Sequence, residues 1–296
     1  MRRFAPLVFL LAILLTACQA AVVSTAEGTA VLPVETIENK GSDTIVNLAL
    51  AWAEAYQKID PHVAISVTGG GTGTGITALI NGTVDIANAS RRIKDEELSA
   101  ALAAGYDPQE FIIARDAIAI IVNPQNPVDH LTPQQLAAIY KGEINNWSEL
   151  GGEDLEIVRL SRETNSGTHV YFLESVIRLG NPEDKSIFSA DTLLLPSSEG
   201  IIAEVKENPH AIGYDSLGYI TDDVKVIAIS SLENPTDYVL PSIQSVNNNS
   251  YLISRDLYMY TLEPPAGVIK EYIDWLFSPE AQRIVSDLGF VPILEP

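Results

Sequence analysis

Arg162 to His169 read RETNSGTH, a guanidinium followed by three hydroxyl residues around a glycine, at the entrance to an apolar helical run. A helix start exposes free backbone N–H groups, and a guanidinium and hydroxyls add further donors. Arg162, Ser166, Gly167 and Thr168 therefore suit an anionic ligand. Two other stretches share this design. GSDT, Gly41 to Thr44, precedes the first long helical pattern, with Ser42, Asp43 or Thr44 either capping that helix or reaching a ligand. GGGTGTG, Gly69 to Gly75, carries Thr72 and Thr74 on a backbone that a ligand can approach closely. Ser90 ends the stretch VDIANAS beside Arg91 and Arg92, of which one or both belong to a solvated basic face.

Other chemistries fit less well. The glycine stretch lacks the P-loop spacing and its lysine, and it does not match the dinucleotide fingerprint. No serine sits in a nucleophile elbow and no H-E-x-x-H occurs. His62, His130, His169 and His210 are scattered among turn and surface residues, and His169 is too near Ser166 along a helix start to serve as its base. The acidic residues show no EF-hand spacing. The expectation is a binding protein with no metal or cofactor.

The formal net charge is −21, which argues against nucleic acid and against adhesion to anionic lipid. It does not argue against a buried anion site, because surface charge is screened beyond roughly 8–10 Å while fixed donors act at contact. Hydrophobic content of 46% with 19% charged residues is that of a globular chain, and its length allows two domains. Residues 1–17 have the basic, apolar, small layout of a secretory signal, ending in LTAC, which resembles a bacterial lipobox. Cys18 is the only cysteine, so it is expected to carry a lipid and not a disulfide, with residues 18–34 as a tether. This places the protein outside the cytoplasm, held to the membrane only through that lipid.

The elements that must position the anion loops alternate. Helices are expected over TIVNLALAWAEAYQKI, ITALINGT, IKDEELSAALAAG, LTPQQLAAIYKG, THVYFLESVIRLG and EGIIAEVKENP, with a helical C-terminus restarted by Pro279. Strands are expected over HVAISV, VDIANAS, LEIVRLS, AIGY, VKVIAI and LYMYTL, with one or two more between Phe111 and Val122. Repeated β-then-α order predicts an α/β protein with parallel sheets and ligand loops at the strand ends.

The ordered set GSDT, GGGTGTGITALINGTVDIANASR, DAIAIIVNPQNPV, LTPQQLAAIYKGEINNW, SRETNSGTH, NPHAIGYDSLGY and LISRDLYMYT resembles the substrate-binding proteins of bacterial phosphate ABC transporters, the PstS family. The resemblance implies a two-lobed type II periplasmic-binding-protein fold with a two-segment hinge. Lobe I would hold residues 35–114 with 253–296 and lobe II residues 115–252, crossing near Ala114 to Ala117 and Leu252 to Leu257. It implies a monomer that binds inorganic phosphate without metal and delivers it to a membrane ABC permease. By position, Arg162 is the guanidinium on the ligand, and Ser166, Gly167 and Thr168 are donors of the second lobe. Thr72, with Thr74 as a further candidate, fills the glycine-loop position. Ser90 fills the strand-end position, and Ser42, Asp43 or Thr44 contributes from GSDT. Some members have aspartates where this chain has Ser90 and Thr164. Asp43, with Glu163 second, is the candidate to accept the proton of hydrogen phosphate in their place. Other oxyanions (sulfate, molybdate or tungstate) and a non-transport signalling or adhesion role are the alternatives.

Overall fold

The computed structural model describes residues 34–232 and 234–294; the signal segment, Cys18 and the tether up to Pro33 lie outside the described residues. β1 (Glu35–Gly41) leads into α1 (Asp43–Ile59), which buries Ile45, Leu48, Ala49, Trp52 and Tyr56 along one face. The helix stops where Asp60 precedes Pro61, and Asp60 is extended, as pre-proline sterics require. β2 (Val63–Thr68), α2 (Thr72–Ile80), β3 (Ile86–Ala89) and α3 (Asp95–Ala103) follow, with β1 parallel to both β2 and β3.

α2 begins four residues earlier than its apolar pattern implies, inside the glycine stretch. Only Gly69 to Gly71 form the turn, with Gly71 at φ +89°. Gly75 is helical because the helix lies directly on β1: a Cβ there would be 2.5 Å from the Lys40 carbonyl oxygen. Tertiary packing has overridden helix propensity.

β4 (Gln109–Val122) is one continuous strand. β5 (His130–Leu131) and α4 (Pro133–Lys141) come next, the helix capped by Thr132 and closed by Gly142 in the left-handed region. β6 (Val158–Arg162) delivers the chain to α5 (Gly167–Phe172). The single long helix expected here is instead α5 followed by a π-helical turn, Leu173–Ile177. Phe172, the last residue of α5, lies flat on Tyr214, centroids 3.6 Å apart, and the turn after it buries Val176 and Ile177.

The rest comprises β7 (Leu193–Leu195), α6 (Ser198–Glu207), β8 (Ala211–Ser216), β9 (Lys225–Ser230), β10 (Tyr238–Val239), α7 (Ile243–Asn247), β11 (Ser254–Thr261), α8 (Gly267–Leu276) and α9 (Pro279–Asp287).

The main strand order is β2-β1-β3-β11-β4-β8-β6-β7. The expectation of parallel sheets holds for β1 with β2 and β3 and for β6 with β7 and β8, but not at the centre. There β4 runs antiparallel to β11 from Gln109 to Ala117, and to β8 and β9 beyond Ile118. The reason is topological: β4 carries the chain out of the first half of the sheet and β11 carries it back alongside, so the two oppose. Each half has its own core. Trp52, Tyr272 and Phe290 anchor the first, and Tyr140, Trp147, Phe172 and Tyr214 the second. Helix starts from both halves meet where β1, β3 and β6 end.

Candidate functional site

At the start of α1, Ser42 occupies the N-cap position but caps no amide; its hydroxyl donates to Ser90 Oγ at 2.8 Å. Ser90 follows the last residue of β3, and its backbone N–H donates to Thr72 Oγ1, the first residue of α2, at 3.1 Å. Thr72 Oγ1 also lies 3.3 Å from Ser90 Oγ. These three hydroxyls come from the first half. Thr44, on the first turn of α1, reaches across to Thr168 of α5, oxygen to oxygen 2.9 Å. All five are buried.

A buried hydroxyl set hydrogen-bonded mainly to itself is an adaptable donor array, because each O–H can rotate to another acceptor. Ser166 spends its oxygen locally, accepting from the Thr168 N–H at 3.2 Å as the cap of α5. Gly167 lies where a Cβ would stand 2.6 Å from Thr72 Oγ1 and closer still to Ser90 Oγ, so only glycine lets the two halves approach this far.

Arg162 ends β6 with its guanidinium almost wholly buried. Nη2 donates to Asp43 Oδ2 and to the Pro196 carbonyl, both at 2.9 Å, and Nη1 donates to Ser198 Oγ at 2.9 Å. Arg162 Nε is buried with no partner among the described residues. Asp43 Oδ1 accepts from the Gly70 N–H at 2.9 Å, so one carboxylate joins the glycine loop of the first half to the arginine of the second. Behind Arg162, Asp215 Oδ1 accepts from Ser198 Oγ and the Ser216 N–H, while Oδ2 stands 3.8 Å from Arg162 Nη1 without a hydrogen bond. Burial pushes the Asp215 carboxyl up to about 6, against the opposing pull of Arg162.

The structure thus brings together Ser42, Asp43, Thr44, Thr72, Ser90, Arg162, Gly167 and Thr168, with Ser166 beside them. Thr74 lies apart, on a surface cleft with Gly73, Thr77 and Asn165, where Asn165 Nδ2 reaches its hydroxyl at 3.5 Å. Glu163 and Thr164 are exposed. Arg91 pairs with Glu97 and Arg92 with Glu110, away from the hydroxyls. His169 is turned from Ser166; it meets Ser161 Oγ at 3.0 Å and stacks on Phe188, and burial holds its imidazole below the ordinary value.

Sequence reasoning missed Arg255, Asp116 and Asp215. Arg255 and Asp116 are register partners on β11 and β4, joined Nη2 to Oδ2 at 3.0 Å, and both are buried. Burial raises the Asp116 carboxyl more than Arg255 draws it down. A signal was present: Asp116 interrupts a run that reads as a strand buried on both faces, and a buried charge requires a partner.

The arrangement places a guanidinium paired with a carboxylate, and a set of buried hydroxyls, where the two halves meet.

The PBP superfamily domain matches residues 24–280. The phosphate-binding protein PstS of Pseudomonas aeruginosa is 31% identical over 274 residues, covering 87% of this chain and 83% of that protein. Its namesake in Bacillus subtilis is 32% identical over 259 residues, covering 86% and 80%. A phosphate ABC transporter substrate-binding protein from Clostridium perfringens, solved with bound phosphate, superposes with a TM-score of 0.79 at 32% identity, covering 88% of this chain and all of that one. The fold is therefore the two-lobed type II arrangement of these proteins. The chain belongs to the PBP superfamily and, within it, to the PstS family of substrate-binding proteins.

Proposed function

We propose that the protein binds inorganic phosphate between its two lobes and delivers it to a membrane ABC permease. The observation that carries this reading is that the start of α1 bonds to the second half twice, Asp43 to Arg162 and Thr44 to Thr168, beside the buried Ser42–Ser90–Thr72 hydroxyl set of the first half. Hydrogen phosphate has bare oxygens for the donors and one proton for a carboxylate. Sulfate has no proton at neutral pH and would face Asp43 with lone pairs only. Asp43 is favoured over Glu163 as the proton acceptor because Asp43 touches Arg162 and Glu163 is exposed.

The hydroxyls are closed upon one another, so phosphate enters when the lobes separate and exchanges hydroxyl–hydroxyl bonds for hydroxyl–phosphate bonds. The hinge of this motion is assigned to Ala114–Ala117 and Leu252–Leu257, where β4 changes partners and the chain returns into β11. Lobe I comprises residues 35–114 and 253–296, and lobe II residues 115–252. The protein works as a monomeric carrier with no catalytic step, outside the cytoplasm. It is anchored through a lipid on Cys18, a role supported by the sequence around that residue. Retention of radiolabelled phosphate by the wild-type chain and its loss in Arg162→Met test the reading. Equal retention by both would refute it.

A further inference from the structure

Arg255 makes contacts that a merely structural ion pair does not need. Its Nε and Nη2 donate to Asp116 Oδ2 at 3.3 and 3.0 Å, and its Nη1 donates to the Ser90 carbonyl at 2.9 Å. Nη2 also donates to Thr168 Oγ1 at 2.9 Å and, less closely, to Thr44 Oγ1 at 3.4 Å. Asp116 is fixed in turn from a third strand, accepting from Ser216 Oγ at 2.6 Å. The guanidinium lies 5.5 Å above the Tyr171 ring, and the Tyr171 hydroxyl donates to the Ser254 carbonyl at 2.7 Å. Arg255 is thus clamped by Asp116 at one end and faces Thr44, Ser90 and Thr168 at the other. Of its five N–H groups, only one on Nη1 has no partner in this set, so the side chain is committed to the protein and acts through those partners.

The consequence concerns hydroxyl polarity. A threonine hydroxyl has one proton to give and two lone-pair positions to receive. Arg255 takes a lone pair of Thr168 outright and reaches one of Thr44. Within the Thr44–Thr168 pair one hydroxyl donates to the other, and the remaining proton has no acceptor inside the pair. We infer that Arg255 is a positioning residue that biases the Thr44–Thr168 pair toward donation, leaving one hydroxyl proton directed out of the pair, so that this side of the site takes a bare oxygen of the oxyanion. Asp43 lies on Arg162, in a different part of the site, and takes the protonated oxygen. Bound hydrogen phosphate is thereby held in one orientation, with its proton toward Asp43 and an unprotonated oxygen toward the two threonines. The inference rests on the phosphate-binding reading above.

A double-mutant cycle tests it. Removing Arg255 alone would strand Asp116 in the core, so the variant is Arg255→Met combined with Asp116→Asn. It is compared with Thr168→Val and with all three changes together, and each is checked for a cooperative melt. Calorimetry with phosphate and with sulfate is the readout. The paired change should weaken both anions by roughly ten- to a hundredfold and by the same factor, since both present bare oxygens to the threonines. Once Thr168 is valine it should cost little more, and Arg255→Lys should recover much of the loss. Additive effects of the Arg255 and Thr168 changes, or unchanged affinity in a folded paired variant, would overturn the inference. Failure of the wild-type chain to bind phosphate would instead overturn the functional reading beneath it.

Discussion

Asp43 and Arg162 lie 119 positions apart in sequence and meet Oδ2 to Nη2 at 2.9 Å. The first belongs to the opening turn of α1 and the second ends β6, so their ion pair spans the two halves of the molecule. Asp43 also holds the Gly70 amide, and its backbone carbonyl accepts from the Tyr219 hydroxyl at 2.7 Å. If phosphate binds as proposed, a carboxylate so fixed among donors would sort oxyanions by whether they bring a proton.

Asp43→Asn should remove that sorting. The amide keeps an oxygen for Gly70 but presents N–H groups to a ligand, which suits sulfate as well as phosphate. Competition between the two anions should show the phosphate preference falling by roughly tenfold or more, the scale of one charge-assisted hydrogen bond. An unchanged ratio would mean that Asp43 does not discriminate.

Arg162→Met should reduce phosphate affinity by roughly a hundredfold or more. It should also lower the melting temperature, because Asp215 would lose the cation beside its unpartnered oxygen. Thermal melts and dialysis measure the two effects separately.

Gly167→Ala should block closure without unfolding the chain. The added methyl would stand 2.6 Å from Thr72 Oγ1, on the opposite half, while α5 itself tolerates alanine. Loss of phosphate binding with a larger radius of gyration in solution scattering is expected. Retained affinity would show that the halves need not approach so closely.

Asp215 gives the stability a pH dependence of known sign. Its carboxyl is raised to about 6 from the ordinary 3.8, so the folded state holds this proton more tightly than the unfolded chain does. The ionised form is therefore a cost that is full above about pH 6 and is relieved as pH falls toward the unfolded value. Asp215→Asn removes this contribution. The melting temperature of wild type relative to the variant should rise as pH is lowered from 7.5 to 5; a gap that does not move would contradict the assignment.

Much of this was legible in the sequence because it depends on local chemistry. Helix starts after strands, and the hydroxyl and arginine residues near them, follow from capping, periodicity and the family resemblance, which together singled out Ser42, Thr72, Arg162 and Thr168 as candidates, although Ser42 caps no amide. The cap of α4 at Thr132 and its stop at Gly142 were equally local. Non-local packing was not legible. α2 starts at Thr72 because glycines let it rest on β1, and Thr74 was drawn into the expected site only by its place in that stretch. The antiparallel centre follows from β4 and β11 carrying the chain out and back, which a βα pattern does not reveal. Arg255 was hidden for a related reason: its partners Asp116, Ser90 and Thr168 lie 139, 165 and 87 positions away.

The most direct measurement is a calorimetric titration of the chain lacking residues 1–18, stripped of bound anion, with phosphate, sulfate and molybdate near neutral pH. The account predicts one tight phosphate site and far weaker binding of the other two. Tight binding of sulfate or molybdate with none of phosphate would contradict it.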